Sequence, residues 1–197
     1  MTVFHCDGFE TYGTTSTSGT DVQSRINGTD NTAFTLVSSG HGGDVSLIDD
    51  FATEGLALEF PEIDAASGEY LTYEWPDGTG RFSDYQVATN SSAPTMVTGF
   101  RFFNATTSPA QQVNIWNCLT GATAVASSLA RASNGTDLVF TPASGSATTI
   151  VGALTVGSWH YIEIEFKFAP AANGGFITID VDGVQVANLT SQGMSNF

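Results

Sequence analysis

Residues 159–168 read Trp-His-Tyr-Ile-Glu-Ile-Glu-Phe-Lys-Phe, and the alternation in this stretch decides the fold. His160, Ile162, Ile164, Phe166 and Phe168 alternate with Tyr161, Glu163, Glu165 and Lys167. A period of two puts one set on a buried face and the other on a wet face, which is the signature of a half-buried strand. Downstream, residues 169–175 (Ala-Pro-Ala-Ala-Asn-Gly-Gly) read as a loop. Residues 176–182 follow as a second strand, with Ile177, Ile179 and Val181 facing inward. Asp182-Gly183 is a strong two-residue hairpin signal, and residues 184–189 form the return strand. These three strands are expected to form an antiparallel meander.

Upstream, the same reading makes strands of residues 96–103 (MVTGFRFF), 111–118 (QQVNIWNC) and 138–140. Ser133-Asn-Gly-Thr136 marks the turn before the last of these. Residues 33–37, 55–60 and 69–75 look extended, and Pro76-Asp-Gly78 closes the last. Residues 11–32 and 39–43, rich in Thr, Ser, Gly, Asp and Asn, read as long loops flanked by strand-like sequence. Helical periodicity is nearly absent, and turn residues recur at the roughly 8–12-residue spacing of sandwiches and barrels. With 197 residues and 41% hydrophobic residues, including 14 Phe, the chain has material for one large core. The expectation is an all-β antiparallel jelly-roll sandwich occupying residues 1–197 as a single domain, with no repeat and no internal boundary.

Charge narrows the partners. Twenty acidic residues face 5 basic ones, a net charge of −15. Lys167 and the scattered Arg25, Arg81, Arg101 and Arg131 cannot build the cationic patch that displaces counterions from nucleic acid. Anionic membrane surfaces are disfavoured for the same reason, and no apolar run approaches the roughly 20 residues of a membrane helix. The acidity reads as a self-repelling, soluble surface, or as a set of Ca²⁺ sites; the two are compatible. Hard oxygen donors for Ca²⁺ are concentrated in the acidic loop of residues 43–50, with Asp44, Asp49 and Asp50, and in residues 76–84, with Asp77 and Asp84. Cys6 and Cys118 lack the spacing of a metal site, and are expected to be free, partly buried thiols.

Further motifs resemble a known family. Val156-Gly-Ser-Trp-His-Tyr-Ile-Glu-Ile-Glu-Phe166, a Gly-containing loop, and Phe176-Ile-Thr-Ile-Asp-Val-Asp-Gly-Val184 resemble the laminin-G-like signature of concanavalin A-like domains. Thr98-Gly-Phe-Arg-Phe-Phe103 resembles the strand that opens that family's central sheet, and Gly55-Leu-Ala-Leu-Glu-Phe60 its early strand. The resemblance spans roughly residues 55–189. It implies core and turn roles for these residues: Trp159 plugging the sandwich edge, His160 starting the inner face, Asp182-Gly183 making the hairpin. The family usually adds a strand after this hairpin, so an open edge completed by a neighbour is one expectation. The opening, Phe4-His-Cys-Asp-Gly-Phe-Glu-Thr-Tyr12, resembles the start of bacteriophage tail-fibre and capsid-associated proteins carrying this fold. Met1 to Asp7 show no basic and no apolar signal region, so synthesis in a host cytoplasm followed by a place in the virion is expected.

Catalytic patterns are weak. Glycosidases of related folds place paired carboxylates along one strand in a pattern like E-x-D-x-x-E. Glu62-Ile-Asp64 begins such a pattern, but Ser67 stands where the second Glu belongs. Glu163 and Glu165 share a polar strand face and Phe168 stands where a third acid would be needed. There is no nucleophile elbow; His5, His41 and His160 share no motif, and Gly40-His-Gly-Gly43 lacks the Lys of a phosphate loop. No catalytic residue is expected. The expected role is a structural subunit of a virion, a capsid decoration, head fibre or tail-associated protein binding other virion proteins and copies of itself. The rival role is a cell-surface glycan-binding adhesin, with Trp75, Tyr85 and Trp116 as stacking residues. The Asn-x-Ser/Thr sequons at Asn27, Asn90, Asn104, Asn134 and Asn188 read as loop chemistry in a chain without a secretory signal.

Overall fold

A computed structural model of the chain describes residues 34–37, 46–49, 56–59, 70–73, 95–104, 112–120, 124–167, 169 and 174–193. Every regular element among them is a β-strand. The chain divides into two compact units, residues 1–79 and 80–197.

In the first unit, β1 (Phe34–Val37) pairs antiparallel with β4 (Tyr70–Tyr73), and β2 (Ser46–Asp49) with β3 (Leu56–Glu59). Strand β2 corrects the reading of residues 43–50 as an acidic loop. Its Leu47-Ile48 centre supplies the apolar strand content that the flanking Gly43, Asp44 and Asp50 obscure.

The second unit contains two antiparallel four-stranded sheets. One has the order β12-β11-β10-β5, formed by β5 (Thr95–Asn104), β10 (Ser158–Lys167), β11 (Phe176–Val181) and β12 (Val184–Thr190). The other runs β6-β7-β8-β9, formed by β6 (Val113–Thr120), β7 (Ala124–Arg131), β8 (Leu138–Thr141) and β9 (Thr148–Ile150). Their facing side chains make one core, so the unit is a β-sandwich. Ile162, Ile164, Phe166, Ile177, Ile179 and Val181 meet Leu129, Leu138, Phe140 and Ile150, with Leu154 added from the β9–β10 connection. Ile162, Ile164, Ile177 and Ile179 are fully buried, and each such side chain contributes about 1.5–3 kcal/mol by leaving water.

The meander expected at the C-terminal end is present, with β10, β11 and β12 adjacent in that order. Along β10 the burial alternates as the sequence requires, with His160, Ile162, Ile164 and Phe166 inside. Asp182 and Gly183 both take positive φ, 54° and 77°, the backbone of a two-residue type I′ hairpin that glycine tolerates without strain. A register shift opposite Ile179 and Asp180 puts a bulge in β12. Strand β5 lies along the whole of β10 in unbroken register, from Asn104 opposite Ser158 to Thr95 opposite Lys167.

Candidate functional site

The side chains with chemical potential in the second unit gather at the start of β10 and on the outer face of its sheet. At the start of β10, the chain arrives from the opposite sheet through residues 151–157, and three polar side chains fasten this corner. Asn104, fully buried at the end of β5, donates through Nδ2 to the carbonyls of Gly135 (2.8 Å) and Thr155 (3.2 Å). Its own carbonyl accepts from the Gly157 amide at 2.7 Å. Asp137, after the Asn134-Gly135 turn, accepts from the Gly152 amide at 2.8 Å. That bond, helped by Asn134 and Thr136, holds its carboxyl below the usual carboxylate range.

The third brace is His160, which is 5% exposed. Its Nδ1 lies 2.7 Å from Asp182 Oδ2, and its Nε2 lies 2.9 Å from the Thr155 amide nitrogen and 3.0 Å from the Thr155 carbonyl. An ionised carboxylate only accepts, so the neutral ring carries its proton on Nδ1 and accepts the Thr155 N–H at Nε2. Asp182 Oδ1 accepts from the Tyr161 amide at 2.8 Å. The Tyr161 amide, the largest influence, holds the Asp182 carboxyl below its ordinary value; burial opposes it, and His160 adds a smaller lowering effect. A His–Asp pair of this kind can act as a general base only if the far nitrogen faces a nucleophile. Here Nε2 faces a backbone peptide, so the pair's bonds join the β11–β12 hairpin to the 151–157 connection.

The outer face of the β5–β10 pair is different in character. Trp159 lies opposite Phe103, with ring centroids 5.3 Å apart, and the Arg101 guanidinium stands 4.7 Å from the centroid of the Trp159 ring, a cation–π contact. The strand period puts Trp159 on the face opposite His160, so it packs on the outside of the sheet and does not plug the sandwich edge. Tyr161 leans diagonally onto Gly99, where any Cβ would overlap its hydroxyl. Glu163, opposite Gly99 on one side and Asp180 on the other, continues the face, followed by Glu165. Among the described residues, the buried polar atoms without a hydrogen-bond partner include Asn104 Oδ1, Trp159 Nε1 and Asp180 Oδ1.

Of the residues singled out in the sequence, Trp116 is half-buried and packs against the core, its ring 5.6 Å from that of Phe166. Asp49 is the last residue of β2. Asp44, Asp50, Asp77, Asp84, Trp75, Tyr85, Glu62, Asp64 and Cys6 lie outside the described residues. Among the described residues, no group of three His, Cys, Asp or Glu side chains is placed to hold a metal ion. Cys118 is a free, half-buried thiol, and burial pushes its pKa up to about 12. Sequence reasoning missed Asn104 and Asp137 as braces, and Arg101 with Tyr161 as a surface pair. The Asn-Gly turn was the one signal available for Asp137. Comparison with protein-family models, with curated proteins and with solved structures yields no match.

Proposed function

We propose that this chain is a non-catalytic structural subunit of a bacteriophage virion, a capsid decoration, head fibre or tail-associated protein, built on a jelly-roll sandwich of the laminin-G-like, concanavalin A-like kind. The observation that carries the reading is the braced corner. The histidine, aspartates and asparagine that could do chemistry there hold backbone amides and carbonyls of the 132–137 and 151–157 connections and of β10. Such bracing suits a module whose work is to keep its shape while it binds neighbours. The jelly-roll reading draws support from β5 and β10, which lie side by side although the whole facing sheet intervenes between them in sequence. The acidic, lysine-poor surface favours protein partners, including copies of the same chain, over nucleic acid. In this reading the chain is made in the host cytoplasm and incorporated during particle assembly.

Mass spectrometry of purified particles from the native source tests this. Repeated copies of the chain per particle, accompanied by self-association of the purified protein in mass photometry, are expected. A folded monomer that stays monomeric at high concentration and is absent from particles would overturn the reading.

A further inference from the structure

We infer that Asn134-Gly135 is a self-modifying site: the asparagine closes on the glycine nitrogen, converts to aspartate and isoaspartate, and in doing so unfastens the braced corner. Asparagine is a thermolabile residue in general, and this turn supplies three conditions that single it out. Gly135 has no Cβ to crowd its nitrogen, and it holds a positive φ of 78°. Asn134 is exposed, so water reaches its side chain. Its Oδ1 accepts from the Thr136 amide at 3.1 Å and from the Asp137 amide at 3.0 Å. Two backbone donors aimed at that oxygen polarise the side-chain carbonyl. They are already in place for the negative charge that gathers there when Cγ is attacked. One bond restrains the reaction. The Gly135 amide donates to the Ala132 carbonyl at 3.0 Å and must let go before its nitrogen can attack. Asn104, Asn114, Asn117 and Asn188 lie in strands, each followed by a residue with a side chain, and meet none of these conditions together.

The atoms balance with water as the only co-reactant. The Gly135 nitrogen bonds to Asn134 Cγ, its proton passes through solvent to Nδ2, and the Cγ–Nδ2 bond breaks to release ammonia. Water then opens the imide ring. Opening at Cγ leaves aspartate. Opening at the main-chain carbon leaves isoaspartate, with the backbone running through the former side chain. The isoaspartate form carries an extra methylene in the main chain directly before Gly135, whose carbonyl accepts from the buried Asn104 amide at 2.8 Å. The same insertion displaces the turn that carries Asp137 to the Gly152 amide. Two of the bonds that fasten the corner therefore depend on the turn keeping its original length. The site rests on one turn and stands or falls separately from the assembly role.

The test is peptide mapping by mass spectrometry after timed incubation of the full chain in mildly alkaline buffer, once native and once in urea. Asn27-Gly-Thr repeats the tripeptide Asn134-Gly-Thr, so in urea the two sites together set the intrinsic rate. Releasing the Ala132 bond costs at most about a factor of ten. The native chain is therefore expected to convert Asn134 within about tenfold of the urea rate, with isoaspartate among the products. Ion exchange then separates the converted native material, and urea unfolding compares its isoaspartate fraction with Asn134→Asp, which gains the same charge on an unlengthened backbone. The isoaspartate fraction is expected to unfold at the lower urea concentration. Native conversion slower than that tenfold bound, products free of isoaspartate, or an isoaspartate fraction as stable as Asn134→Asp would each overturn the inference.

Discussion

At Asp182 two requirements coincide. The residue must accept a positive φ as the first residue of the hairpin, and its carboxylate must reach back to the Tyr161 amide and to His160. Aspartate satisfies both, since it is among the few non-glycine residues at ease in that backbone region. The folded carboxyl titrates below its unfolded value of about 4. Its contribution to stability is therefore present in full above about pH 4 and is lost as the pH falls through the lower folded value. Asp182→Asn keeps the turn and removes the charge, so its acid-denaturation profile between about pH 5 and pH 2 should be flatter than that of the parent; urea midpoints measured along the series check this. His160→Ala leaves the Thr155 amide and the inner carboxylate oxygen unpartnered, and should cost roughly 1–3 kcal/mol in urea unfolding. Cys118, with its thiol pushed up to about 12, should react with thiol reagents at pH 8 far more slowly in the native chain than in urea, where the ordinary value near 8.5 returns.

Among the elements, β10 and β11 carry the core. Ile164→Ala, in the centre of β10 and fully buried, should cost about 2–5 kcal/mol in the same unfolding assay. Glu165→Gln, on the half-buried outer side of β10, should stay within about 0.5 kcal/mol. These strands were legible in the sequence because one face is wet, so their alternation survives in the residue types. Strand β7 was not. From Ser127 to Arg131 every residue is buried, and a strand covered on both faces has no polar side to announce its period. Its small residues, Ala-Val-Ala-Ser-Ser-Leu-Ala, look like a linker. Strand β9, three residues long, is too short to show any period. The corner was half legible. The sequence marked His160 and Asp182 separately, as inner-face start and hairpin, but their contact arises only when the β10–β11 register brings them together. Asn104 carried no mark beyond a sequon, because the atoms it holds are backbone atoms distant in the chain.

For the whole molecule, the net charge of −15 sets a self-repulsion that opposes compactness and that salt screens. The melting temperature should therefore rise by a few degrees as NaCl goes from about 10 mM to 150 mM, where the Debye length falls to about 8 Å. Calorimetry across that range checks the sign. A flat or falling trend would mean that favourable ion pairs outweigh the excess of negative charge.

The buried amide of Asn104 has a consequence for how the protein can be made. Asn104-Ala105-Thr106 is an acceptor sequence for oligosaccharyltransferase, yet in the folded chain its Nδ2 donates both of its hydrogens inside the corner. In a secretory host the enzyme meets the nascent chain before that corner closes. A glycan attached there would remove one donor hydrogen and wedge a bulky group between β5 and the connections it holds. Material produced through an endoplasmic reticulum should split into a folded fraction bare at Asn104 and a retained, misfolded fraction that carries sugar. Cytoplasmic bacterial expression should give a single folded species, and Asn104→Gln would not repair the secreted form, because the longer side chain cannot place its amide where two carbonyls wait.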